Sequence, residues 1–236
     1  MSTRAGGVSR APFDSFNLGI AVGDAAAAVD QNRRRFADQI GAQPVWLRQV
    51  HGCRVVRVGS ADVGGDPIEA DGAWTDEAGI ACTVQVADCL PLLFAAPGGR
   101  AVAAVHAGWR GLAGGVVEAT IDALCAGAGC TSAELCAWIG PGIGPRHFEV
   151  GADVLHAFDA AAIAADQPHS AFAPRADGSP RWLADLPALA ARRLRRAGLT
   201  QVQVRADCTF SDASRYFSFR RDGITGRLAA AVWRRG

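Results

Sequence analysis

IACTVQVADCLPLLFAAPGGRAVAAVHAGWRGLAGG, residues 80–115, is the stretch that sets the fold class. Residues 80–96 and 100–107 are apolar runs rich in β-branched side chains, and the Pro-Gly-Gly between them marks a β-hairpin. Glycines at 108, 111, 114 and 115 follow, and then Val117, Ile121 and Leu124 recur at i, i+4 and i+7, the spacing of a helix packed on one face. Paired strands that run through a glycine turn into a helix predict a sheet with helices packed against it.

The flanking chain extends this reading in both directions. FNLGIAV, residues 16–22, reads as a short strand; Asp24 then caps an alanine-rich helix over 25–40 that stops at Gly41. PVWLRQV and CRVVRV, separated only by His51 and Gly52, predict another hairpin, and residues 59–73 read as loop. Downstream, residues 135–145 form a strand that enters a Gly/Pro loop, 152–167 are helical, 168–181 are loop, and 185–198 form a capped helix ending at Gly198. QVQVRAD and GRLAAAVWRR are the last strands. Hairpins are as frequent as crossovers, so the expected fold is α/β (α+β): one domain over 1–236 with mixed sheets and helices outside, not a doubly wound parallel sheet.

Composition narrows the function. With 24 basic and 23 acidic residues, the chain lacks the charge that would mark a nucleic-acid or anionic-membrane partner, so a small molecule is the expected one. Every basic residue is arginine, which excludes lysine Schiff-base chemistry and a P-loop lysine. There is no signal-peptide core and no long apolar run, and a cytoplasmic protein is expected. Seven cysteines without a C-x-x-C argue against a disulfide framework or a zinc knuckle.

The hairpin places chemistry. If Ala95 faces Arg100, Cys89 lies opposite His106, and a loop of different length makes the two diagonal neighbours. A thiol and an imidazole so placed suit a Cys/His nucleophile pair, two ligands of a soft-to-borderline metal, or ordinary core packing. A catalytic zinc site wants a third ligand, for which His51 and His147 are the candidates at strand–loop junctions; His51 is preferred because QVHGC leaves a strand end. The glycines after His106 would expose backbone N–H groups to an anion, with Arg110 adding a charge. The RYFSFRRDG segment, with Arg220, Arg221 and Asp222, is a candidate second polar wall.

Taken together, NLGIAVGD, QVHG, TVQVADCLP, AVHAGWRG, WIGPGIGPRHFEVG and CTFSDASRYFSFRRDGITGR resemble the multicopper polyphenol oxidoreductase (laccase-domain) family, also described as zinc-dependent purine nucleoside phosphorylases and as peptidoglycan-editing factors. The resemblance runs in order from about residue 16 to residue 233. It implies a single mixed α/β domain and a zinc site formed by His51, Cys89 and His106. It also implies phosphorolysis of adenosine, inosine, guanosine and methylthioadenosine, hydrolytic deamination of adenosine, and a nucleoside pocket lined by Asn17 and Arg33. Gly142 and Arg146 stand in a block where relatives often carry cysteine, which touches pocket detail and not the triad.

On this reading zinc activates water or polarises a substrate oxygen. Asp88 is the candidate proton carrier for deamination, and Arg110 or Arg33 would hold phosphate. Copper would also bind such ligands in vitro, but five histidines are too few for a blue-copper site plus a trinuclear cluster. The alternative is an amide hydrolase acting on a muramyl-nucleotide precursor, with Cys89 as nucleophile or zinc as activator.

Overall fold

The chain builds two facing sheets between two helical layers. The structure, a computed structural model, describes residues 1–158 and 171–235. A four-stranded sheet runs in the order β13 (Leu228–Trp233), β5 (Ile80–Val86), β1 (Gln43–Arg48), β3 (Ile68–Glu69); β1 is parallel to β3 and β5, and β13 is antiparallel to β5. A six-stranded sheet runs β12 (Gln201–Val204), β8 (Cys136–Ile139), β6 (Leu90–Ala95), β7 (Val102–Ala107), β4 (Gly72–Thr75), β2 (Val55–Arg57), antiparallel at its centre and parallel at both edges. A small antiparallel sheet joins β10 (Phe172–Pro174), β11 (Trp182–Ala184) and β9 (Glu149–Val150).

The period-2 alternation of each strand assigns its faces. Val45, Leu47, Cys82 and Val84 of the four-stranded sheet meet Ala73 and Ala104 of the six-stranded one. On the far side of the larger sheet, Leu92, Phe94 and Val105 pack against α3 (Val116–Ala128) and α5 (Leu186–Arg196) through Ile121, Leu124, Leu189 and Leu194. The far side of the smaller sheet is covered by α1 (Ala26–Ile40), whose Phe36 packs with Trp46 and Ala229. Every residue of β7 is buried because both its faces are covered, which is why RAVAAVHA reads as a continuous apolar run. Among the described residues the remaining helices, α2 (Trp109–Gly114), α4 (Ala152–Ala157) and α6 (Phe219–Asp222), are short.

The mixed α/β architecture, the β6–β7 hairpin, α3 and the Asp185-capped α5 match the sequence reading. Several details differ. The run over 80–96 is not one strand but two, β5 and β6, which the bend at 87–89 sends into different sheets. Residues 59–73, expected as loop, contain β3 and the start of β4, each paired in a sheet. No strand forms over 16–22, because the Asn17 amide curls the chain: Oδ1 accepts from Gly19 N–H (2.9 Å) and Arg227 N–H (2.8 Å), while Nδ2 donates to Gly19 O (3.1 Å) and Asp24 Oδ2 (2.9 Å). Asp24 accepts from Ala25 N–H, one residue before α1, and does not cap its first turn. The two runs around His51 are not a hairpin: β1 stays in the four-stranded sheet while β2 joins the six-stranded one. Within 168–181, residues 172–174 form β10, paired with β11, where a loop was expected. Of the helix expected over 152–167, Ala152–Ala157 form α4 and Phe158 follows as its C-cap; residues 159–167 lie outside the described residues.

The β6–β7 register places Ala95 opposite Val102, not Arg100, because Ala96 N–H bonds Ala101 O and the connection takes up more residues than Pro-Gly-Gly. Pro91 therefore faces His106, and Cys89 lies just beyond the paired strand.

Candidate active site

Two crossovers between the sheets meet at one end of the sandwich. Residues 49–54 carry the chain from β1 to β2 and hold His51; residues 87–89 carry it from β5 to β6 and hold Asp88 and Cys89. Each bend contains a non-glycine residue at positive φ, His51 at 60° and Asp88 at 94°, an uncommon conformation that needs local support.

For His51 that support is Asp71. Its carboxylate, wholly buried, accepts from the consecutive N–H groups of Val50 (3.1 Å), His51 (2.9 Å) and Gly52 (2.7 Å) and from His106 Nδ1 (2.8 Å). Burial alone would raise the Asp71 carboxyl, but the hydrogen bond from His106 and those amides hold it below its ordinary value. Because Nδ1 of His106 is taken, its Nε2 is the nitrogen left to face the crossovers. For Asp88 the support is Thr209 Oγ1, which donates at 2.7 Å, and Arg220 N–H at 2.7 Å.

The triad thus comes together. Ligand atoms of His51, Cys89 and His106 all lie within 4.8 Å of one another, the one such cluster among the described residues. Cys89 Sγ is 3.8 Å from His51 Nε2, near the roughly 3.6 Å expected between a thiolate and an imidazole on one tetrahedral zinc. The two imidazoles meet edge-to-face with centroids 4.7 Å apart. The glycine after β7 permits this: a Cβ on Gly108 would lie 2.8 Å from His51 Cδ2 and 3.0 Å from Cys89 Sγ. Burial would raise the Cys89 thiol, yet the His106 charge and hydrogen bond, with those of His51, bring it down to about 6. Burial would lower His106, but the Cys89 charge and the Asp71 hydrogen bond lift it to about 9. Each of the two thus favours the charged form of the other, and the buried carboxylate behind them orients His106 while His51, Cys89 and His106 offer the ligand atoms.

The triad opens onto a cavity of about 630 Å³. Ile20, Val22, Phe148 and Phe219 give it apolar walls, and Asp88, Gln85, Arg48, Arg220 and Arg227 contribute polar groups. Other expected site residues sit elsewhere. Asn17 is wholly buried behind the wall, fixing Gly19 and Arg227 in place. Arg33 donates to Leu18 O and stacks over Trp46, outside the lining. Arg110 is exposed and stacks on Trp109, so the turn after His106 serves close packing and brings no cation to the cavity. His147 stacks on Phe210 apart from the triad, and Arg221 is spent on carbonyls of Thr209, Phe210 and Tyr216. Asp71 was not legible as a site residue, because a lone aspartate among small residues carries no local signature; Arg227 closes the CTFSDASRYFSFRRDGITGR block, but nothing in the block marks it out from the other arginines there.

A family model described as multi-copper polyphenol oxidoreductase laccase matches residues 1–235. A purine nucleoside phosphorylase of Pseudomonas aeruginosa is 49% identical over 233 residues, covering 99% of this chain and 91% of that protein. The Escherichia coli purine nucleoside phosphorylase YfiH is 42% identical over 237 residues, covering 98% and 91% respectively. Among solved structures, the Neisseria meningitidis protein NMB0706 superposes with a TM-score of 0.90 at 43% identity, covering 99% of this chain and 92% of that one. YlmD from Geobacillus stearothermophilus also reaches 0.90, at 33% identity, covering 99% and 90%.

Proposed function

The chain belongs to the multi-copper polyphenol oxidoreductase laccase family, and we propose that it is a zinc-dependent purine nucleoside phosphorylase that also deaminates adenosine. The observation that carries this reading is a His–Cys–His set opening onto a nucleoside-sized, apolar-walled cavity. One thiolate and two imidazoles suit zinc with a fourth position left open, and zinc held by His51, Cys89 and His106 would supply a Lewis acid at the cavity floor.

The chain's own groups do the remaining work. Phe219 is 58% exposed at the cavity and Ile20 55%, side chains whose apolar surface a purine or ribose face would cover. Asp71 holds His106 in one tautomer and fixes the bend that presents His51. Asp88 lines the cavity beside Cys89 and is the candidate proton carrier for deamination, its orientation set by Thr209 and Arg220. The substrates are adenosine, inosine, guanosine and methylthioadenosine, with inorganic phosphate as the second reactant.

The thiolate–imidazolium pair favours one other reading, amide hydrolysis of a muramyl-nucleotide precursor with Cys89 as nucleophile. Copper suits the same ligands, but the imidazole-rich cluster of a true laccase exceeds what five histidines supply.

Zinc-loaded protein incubated with adenosine, with and without phosphate, decides among these. Adenine formed only with phosphate, inosine formed in either condition, and both lost in His106→Ala are the expected results. Absence of both products from the wild type would overturn the proposal for adenosine and favour the muramyl nucleotide.

A further inference from the structure

Phosphorolysis needs a place for an anion, and neither Arg110 nor Arg33 reaches the cavity. Arg227 does, and its setting is built. Its backbone N–H donates to the buried Asn17 Oδ1 (2.8 Å), and its Nη1 donates to Thr225 O (3.0 Å) and Gly226 O (3.2 Å). Its stem occupies the space beside Gly19, where an added Cβ would come within 2.6 Å of Arg227 Cγ. Its guanidinium carbon lies 5.9 Å from the Phe219 ring centroid. One end of the fork is thus pinned, while among the described residues none accepts from Nε or Nη2 and no carboxylate forms an ion pair with Arg227.

Nε and Nη2 form the guanidinium edge that binds two oxygens of a phosphate or carboxylate in parallel. The side chain is partly withdrawn from water, and burial lowers its pKa, a cost that a bound oxyanion would offset. Arg220 repeats the pattern: it lines the same cavity, gives Nη1 to Glu149 O (2.8 Å), lies over Phe148, and has no carboxylate ion-pair partner among the described residues. The facing acids are Asp88, already holding Thr209 and the Arg220 amide, and the Cys89 thiolate, whose charge zinc would neutralise.

We propose that Arg227, together with Arg220, forms an oxyanion subsite of the cavity that binds a tetrahedral phosphate group. On the phosphorylase reading, on which this choice of source rests, the group is free hydrogen phosphate. One of its oxygens bonds to the ribose C1′ as the C1′–N9 bond breaks; the purine leaves with that electron pair and takes the phosphate proton, giving ribose 1-phosphate. On the muramyl-nucleotide reading the same subsite would hold a diphosphate.

Two measurements on the zinc-loaded protein test the subsite. In steady-state phosphorolysis of inosine, Arg227→Gln should raise the KM for phosphate by about 10- to 100-fold, as expected for losing charge-assisted hydrogen bonds, with the KM for inosine within about twofold. Arg227→Lys should recover only part of the loss, and Arg220→Gln, at an exposed position, should give a smaller rise. In calorimetric titration with inorganic phosphate and, separately, with uridine diphosphate, the wild type should bind at least one of them and Arg227→Gln should weaken that binding. Preferential binding of uridine diphosphate, lost in Arg227→Gln and without inosine turnover, would keep the subsite and remove the phosphorylase reading. An unchanged phosphate KM in all three variants, or binding of both probes unaffected by them, would overturn the subsite itself.

Discussion

A carboxylate sealed from water costs several kcal/mol unless its lone pairs are engaged, and Asp71 engages them with three consecutive backbone N–H groups and one imidazole. The same atoms that stabilise the charge also fix the two histidines of the triad, His51 through its backbone and His106 through its ring. Asp71→Asn keeps the volume but offers one acceptor oxygen where there were two, turns an NH2 toward donors, and frees the His106 tautomer. The expected outcome is a zinc affinity lower by about 10- to 100-fold, measured by competition with a chromophoric chelator. An affinity within about twofold of wild type would show that Asp71 supports the fold without tuning the ligands. His106 itself was legible from its place at the end of an apolar run, and Cys89 from the hairpin; Asp71 was not, because what marks it is burial, which EADGAW does not display.

At the level of elements, the site depends on strands that change sheets. Local pattern identifies β1 and β2, but it does not say which sheet a strand joins after a turn, and it merges β5 and β6 into one apolar run because both are largely buried and only Ala87, Asp88 and Cys89 separate them. PVWLRQV-HG-CRVVRV therefore looks like a hairpin, whereas Leu47 pairs with Ile68 and Val55 with Gly72, in different sheets. The β6–β7 hairpin was legible because both strands stay in one sheet, and only its register shifted with the length of the loop. FNLGIAV misled for another reason: the Asn17 amide, not strand pairing, satisfies its backbone. The strand-to-helix turn after β7 shows how tightly these bends converge. In Gly108→Ala the backbone angles suit alanine (φ −72°), so the added methyl acts through its contacts with His51 and Cys89 alone. Zinc content after dialysis against a weak chelator should fall well below one per chain while the far-ultraviolet circular dichroism stays that of the wild type. Full zinc retention would mean that the ligands yield to the methyl without losing their geometry.

Across the whole molecule, the triad brings together three parts of the chain that are far apart in sequence. His51 and Cys89 sit on two of the links between the sheets, and His106 sits in the larger sheet, so an ion bound to all three would tie these links to that sheet. A ligand that binds only the folded chain stabilises it by about 4 kcal/mol at a thousandfold excess over its Kd, on the order of 8–16 °C in Tm at this size. Removing zinc with a chelator should lower Tm by that order, and Cys89→Ser should show little of the shift. The shift should also depend on pH. His106, raised from 6.5 to about 9, favours the metal-free fold fully below its ordinary value and less as pH rises toward 9. Cys89, lowered from 9.0 to about 6, favours it fully above its ordinary value and less as pH falls toward 6. Between those limits the pair keeps one proton, on the imidazole, which zinc must displace, so zinc affinity should rise about tenfold per pH unit. Scanning calorimetry with and without chelator should therefore show a markedly larger zinc-dependent Tm shift near pH 8 than near pH 6. An equal shift at both would mean that the metal-free site holds no displaceable proton in this range, and that the thiolate and imidazolium are not the resting pair.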